Sequence, residues 1–170
     1  MLKTTFALLI CSAIAAGAAA PAAFAANSLR AGALAVSVEA SRSPLIGLKW
    51  NVNEKNALFG GVRFTNISED DDNGGDDGST SFGIAAAYLH YWNPADFSPY
   101  TGVSLALNTE SDGRDETDWA VRGFIGIEAF LMSHASVSGD LGLELGTLDD
   151  GDRTYVSTAT SAVRFNLYFR

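Results

Sequence analysis

The feature that most constrains this chain is an alternation of apolar with small or polar residues, repeated in eight short segments. Successive side chains of a strand point to opposite faces, so alternation assigns each residue to one of two faces. Leu34, Val36 and Val38 share a face within residues 32–39, and Ile46, Leu48, Trp50 and Val52 within residues 44–52. The pattern returns over residues 57–66, 81–92, 100–108, 119–131, 136–146 and 155–169. Turn-forming residues separate the segments.

The second face differs from a soluble core. It carries Lys49, Arg63, Arg122 and Arg164 against Glu39, Glu128, Asp140 and Glu144, among residues such as Ser37, Asn51, Thr65, Asn108, Thr158, Thr160 and Asn166. A soluble sandwich would turn this face to water. A barrel in lipid must turn it inward, because a charge facing the bilayer midplane costs ~2–4 kcal/mol. The eight charges would then form a paired network in the lumen. No stretch after residue 25 is apolar for the ~20 residues that a membrane helix needs. A closed barrel is the other way to pair every backbone group in lipid. The expected fold is therefore all-β: an eight-stranded antiparallel up-and-down transmembrane β-barrel over residues 26–170. A soluble, secreted β-sandwich is the competing architecture.

Residues 1–25 read as a secretory signal peptide. Lys3 supplies a positive start, Phe6 to Ile10 and an alanine-rich run supply the apolar region, and Ala23-Phe24-Ala25 supplies a cleavage pattern. Cys11 lies inside this leader, preceded by Ile10 where a lipoprotein would want a small residue, so the mature chain carries no thiol.

The connections alternate in character. Residues 53–56, 93–99 and 133–135 form compact turns, whereas residues 68–80, 109–118 and 148–154 are strongly acidic. Outer-membrane barrels have short periplasmic turns and more polar extracellular loops. Aromatic girdles are expected at both interfaces. Trp50, Phe59, Trp92, Phe97, Tyr100, Phe130 and Phe169 fall toward the periplasmic end, and Phe64, Phe82, Trp119 and Tyr155 toward the outer end.

Two stretches carry a family resemblance. Ser98-Pro99-Tyr100-Thr101-Gly102-Val103 opens a strand after a compact turn, and Val163-Arg164-Phe165-Asn166-Leu167-Tyr168-Phe169 ends the chain in an alternating aromatic strand followed by Arg170. With the overall pattern, they make the chain resemble small outer-membrane barrels of the OmpA/OmpX type. The resemblance implies residence in the cell outer membrane, contact with its lipids and lipopolysaccharide, and insertion by the barrel assembly machinery. Such barrels serve as anchors, adhesins, host-factor binders, narrow channels or lipid-modifying enzymes, so the fold leaves the role open.

The net charge of −9 argues against nucleic acid as a partner. Asp70, Asp71, Asp72, Asp76 and Asp77, with Gly74, Gly75 and Gly78 among them, form an oxygen-rich run suited to divalent cations or to a cationic surface partner. Their spacing does not match the calcium loop D-x-[DN]-x-[DN]-G, and a solvated loop is the preferred account of them. The lumenal charges suit a structural plug, with an ion gate as the alternative. His134-Ala135-Ser136 superficially resembles the His-x-Ser pair of barrel lipid A deacylases, with Glu144 as a conceivable acid. Val137 stands where an Asn is expected, and Ser136 and Glu144 would lie about 27 Å apart along one strand. His90, beside Tyr91 and Trp92, reads as an interfacial side chain. No phosphate loop, Cys/His metal set or nucleophile elbow appears in the sequence. The expectation is a non-enzyme without cofactor, with a structural or surface-interaction role through its acidic loops, residues 70–77 and 112–118 being the contacts to test. The alternative is a narrow channel for ions or small solutes.

Overall fold

A computed structural model describes residues 29–40, 44–70, 76–111, 115–148 and 151–169; the signal peptide expected over residues 1–25 lies outside them. The strands are β1 (Leu34–Glu39), β2 (Leu45–Asn51), β3 (Asn56–Asp70), β4 (Asp76–Tyr91), β5 (Phe97–Ser111), β6 (Asp115–Met132), β7 (Ala135–Leu148) and β8 (Arg153–Phe169). Each pairs antiparallel with its sequence neighbours, and β1 closes the ring on β8 through Leu34↔Phe169 to Glu39↔Arg164. This is the eight-stranded up-and-down barrel that the alternation predicts.

The two faces have opposite character. Outward rows include Ile46, Leu48 and Trp50 on β2, Val62 and Phe64 on β3, Ile125 on β6, Leu141 and Leu143 on β7, and Phe165 and Leu167 on β8. Phe64 is 65% and Leu143 63% exposed, although such side chains normally leave water. Inward rows hold Ser37, Lys49, Asn51, Arg122, Glu128, Asp140 and Asn166, all buried.

The strands run further than the alternation indicated. β3 and β4 stay paired through Asn66↔Thr80 to Asp70↔Asp76, within the stretch expected as an acidic loop. β5 and β6 stay paired to Ser111↔Asp115, and β7 and β8 to Leu148↔Arg153. An apolar row records how much of a strand meets an apolar medium. A ladder continues past that limit wherever the facing residues keep pairing, and Ser and Thr suit a strand in water.

Two irregularities matter. In β8, Thr160 faces Gly142 and Thr158 faces Leu143, so β8 carries one extra residue at that point. Such a bulge swaps the faces of everything beyond it. Thr158, expected in the lumen, is exposed opposite the outward Leu143, and Tyr155 lies opposite Gly146. The wall is also uneven. Pairing of β2 with β3 stops at Leu45↔Arg63, and that of β1 with β8 at Glu39↔Arg164, while β3–β8 continue upward. We call the end with turns 52–55, 92–96 and 133–134 the base, and the opposite end the rim.

Candidate functional site

The lumen is filled by charged and aromatic side chains in successive levels. At the base, Glu128 is 0% exposed. Its Oε2 accepts from Lys49 Nζ and Tyr91 OH, each at 2.5 Å. Its Oε1 accepts from Ser136 Oγ at 2.5 Å, Tyr168 OH at 2.7 Å and Asn166 Nδ2 at 3.2 Å. Lys49 Nζ also donates to Tyr168 OH and lies 5.1 and 5.3 Å from the ring centroids of Tyr91 and Tyr168. Burying either charge alone would be prohibitive; the pair with its hydrogen bonds leaves no bare charge.

The next level centres on Asp140. Arg122 Nη2 donates to Oδ1 at 2.5 Å, while Arg164 Nη1 and Tyr100 OH reach Oδ2 at 2.6 and 3.1 Å. Arg122 Nε also donates to Thr160 Oγ1. Arg164 extends to Glu39 at 3.0 Å, and Arg63 approaches the same carboxylate at 3.6 Å. Toward the rim, Glu144 accepts from Tyr155 OH at 2.9 Å. The eight expected charges therefore share one interior, on six strands. Seven are linked by ion pairs into the sets Lys49–Glu128 and Arg122–Asp140–Arg164–Glu39–Arg63, and Glu144 takes a tyrosine instead.

The aromatic expectations need revision. Trp50, Trp92, Trp119 and Phe169 are exposed on the outside. Tyr155 is not with them, because the β8 bulge turns it inward onto Glu144. Phe59, Tyr100 and Phe130, expected in the basal girdle, are buried inside. Inward glycines make room for these rings. A Cβ on Gly47 or Gly61 would strike Phe59, one on Gly126 would strike Tyr100, and one on Gly102 would strike Phe124. Tyr91 lies tilted on Tyr100, Tyr100 meets Phe124 edge-on, and Phe130 lies tilted on Tyr168.

Several site residues escaped the sequence reading: Tyr91, Tyr168, Phe124 and Leu29, while Ser136, noted there beside His134, serves instead as a donor to Glu128. Leu29 precedes β1 and is buried in the same apolar cluster. It is brought there by a turn in which Gly32 adopts a φ of 81° and donates to the Asn51 carbonyl; only glycine enters that left-handed region at no steric cost.

Between the charged levels lies a cavity of about 10 Å³, lined by Lys49, Arg164, Phe59, Phe124 and Asn166 among others. It has room for about one water. His134 is exposed in the β6–β7 turn beside Ser133, while Ser136 points inward to Glu128, so no His–Ser–acid set assembles. His90 Nδ1 lies 2.8 Å from Asn56 Oδ1. Asp71 and Asp72 fall outside the described residues; the backbone sets Asp70 opposite Asp76 and Glu69 opposite Asp77. Among the described residues, no group of His, Cys, Asp and Glu could hold a metal ion.

No protein-family model matches the chain, and no curated protein matches it. A solved structure, that of Ail, the attachment invasion locus protein of Yersinia pestis, aligns with a TM-score of 0.46 at 13% identity, over 82% of this chain and 99% of that one.

Proposed function

We propose that the chain is an integral outer-membrane β-barrel, exported by its leader and cleaved after Ala25, with a structural or surface-interaction role at its acidic rim. One observation carries this reading: an apolar exterior encloses a charge-paired interior, the reverse of a soluble barrel. In water, the exposed Val62, Phe64, Ile125, Leu141, Leu143 and Phe165 would make the surface aggregate. In lipid the same rows are satisfied, and the closed ladder leaves no edge at membrane depth. Lipids and lipopolysaccharide would meet these rows, and the barrel assembly machinery would insert the chain. The up-and-down order supports placing it among OmpA/OmpX-type barrels.

The packed lumen favours a structural role over conduction. Eight strands leave an interior that side chains can fill, and here the cavity between the charged levels has room for about one water. The rim is the natural contact surface. No Lys or Arg occurs between Arg63 and Arg114, so the stretch holding Glu69, Asp70, Asp71, Asp72, Asp76 and Asp77 carries a local excess of negative charge that would attract a cationic partner or divalent ions.

The test is fractionation of cells expressing the full chain, with the outer-membrane fraction run cold and boiled on a gel. The expected result is a band in that fraction whose mobility changes on boiling. A soluble band without such a change overturns the proposal.

A further inference from the structure

On the outer face of the base, a chain of amides fixes the chemistry of a histidine that the lumen does not use. His90 lies on β4 between the inward Leu89 and Tyr91, so it faces out. Asn56, directly opposite on β3, and Tyr88, two residues along β4, share that face. The exposed Trp50 and Trp92 mark the height at which rings meet lipid headgroups.

One donor of certain identity orients the whole cluster. The backbone N–H of Lys55 donates to Asn53 Oδ1 at 2.9 Å. The Asn56 group that meets the same oxygen at 3.0 Å must donate too, so it is Nδ2. Asn56 Oδ1 therefore faces β4, where it accepts from Tyr88 OH at 2.6 Å and meets His90 Nδ1 at 2.8 Å. An amide oxygen only accepts, so Nδ1 carries the proton. In the neutral ring Nε2 is then an acceptor. Among the described residues, nothing donates to it.

The surroundings select the donor. Tyr88 and Trp92 flank His90 on the same face of β4 and are exposed, so a cation at Nε2 would have a π system on either side. Leu58 and Val103, paired with Tyr88 on either side, and Ile84 beyond it continue as an apolar wall suited to acyl chains. In the turn below, Glu54 adjoins Lys55, so the turn has no net charge to favour an anionic headgroup. A zwitterionic phospholipid with a primary ammonium meets all three conditions.

We propose that His90 Nε2, oriented by Asn56 and flanked by Tyr88 and Trp92, binds the ammonium of an aminophospholipid headgroup in the leaflet at the base. This rests on the membrane reading above and gives one lipid class a fixed place on the wall. The ammonium donates to Nε2, and the exposed Lys55, next to Asn56, is the cation available to its phosphate.

The test uses the barrel purified from cells expressing the full chain, in detergent micelles doped with equal amounts of dioleoyl phosphatidylethanolamine and dioleoyl phosphatidylcholine. Native mass spectrometry counts the lipid retained. The two lipids share chains and phosphate, but the second has no N–H. The first should be retained about three- to ten-fold over the second, the range of one net hydrogen bond. The N,N-dimethyl form, which keeps one N–H, should follow the first. His90→Phe should abolish the preference and keep the boiling shift. Asn56→Leu should weaken it with His90 still present, and nitrogen NMR of the ring should then show both tautomers. Equal retention of the two lipids by the folded barrel, or a preference that survives His90→Phe, overturns the site and leaves the barrel reading standing. A chain without a boiling shift overturns the barrel reading and the site with it.

Discussion

The base and the rim of the same lumen are built by different rules. At the base, Glu128 receives five donors and Lys49 is spent on two of its neighbours, with Tyr91, Phe130 and Tyr168 closing around them. At the rim, Thr65 Oγ1, Asp118 Oδ1 and Arg63 Nε are enclosed without a hydrogen-bond partner among the described residues, and the Arg63–Glu39 approach is loose at 3.6 Å. A buried polar atom left unmatched costs about 1–3 kcal/mol in a dry interior. The base gathers its matched groups around one carboxylate, the layer that seals the ring. The rim lies nearer to solvent, which weakens the charge pairs there. Stability is concentrated at one end, and freedom to vary at the other.

The largest effect should come from breaking the base. Glu128→Ala leaves Lys49 without its counter-charge and should cost about 3–5 kcal/mol; urea unfolding of the refolded barrel, followed by tryptophan fluorescence, measures it. Replacing both partners, Lys49→Met with Glu128→Met, should restore most of that loss, since a well-packed apolar pair can stand in for a buried ion pair. If the double variant is as weak as the single one, the hydrogen bonds from Tyr91, Ser136 and Tyr168 matter more than the ion pair.

One level up, Arg122→Met should cost about 1.5–3 kcal/mol, because Asp140 keeps Arg164 and Tyr100. Gly102→Val places a side chain against the Phe124 ring and should cost about 1–3 kcal/mol by the same titration. At the rim, Arg63→Ala should change stability by less than about 1 kcal/mol. A loss at Arg63 as large as that at Glu128 would erase the distinction between the two ends.

The sequence made the faces legible and the heights illegible. Period two placed all eight lumenal charges inside one ring, because a lipid-facing wall leaves a charged residue no other side. The same rule, carried one residue further, puts Phe59, Tyr100 and Phe130 inside: each neighbours an outward residue, Leu58, Thr101 and Leu131 respectively. Their nearness to strand ends suggested a girdle, but all three are buried, and inward glycines make room for the rings of Phe59 and Tyr100. Tyr155 could not have been placed this way. A bulge adds a single residue without any compositional mark, and it inverts every assignment beyond it. Strand ends were hidden for another reason. Ser, Thr, Asn and Asp at residues 68–80 read as loop, while the ladder that orders part of that stretch as strand is a property of the pairing.

The low wall also bears on how the ring would come apart under tension. β1, at 6 residues, is the shortest strand and is gripped on both sides by correspondingly short ladders. A pull on the chain ahead of Leu29, directed away from the base, loads those two ladders in shear before any other. The longer hairpins would be spared until β1 had slid free, so the ring has one built-in point of yield, and it lies beside the carboxyl-terminal strand.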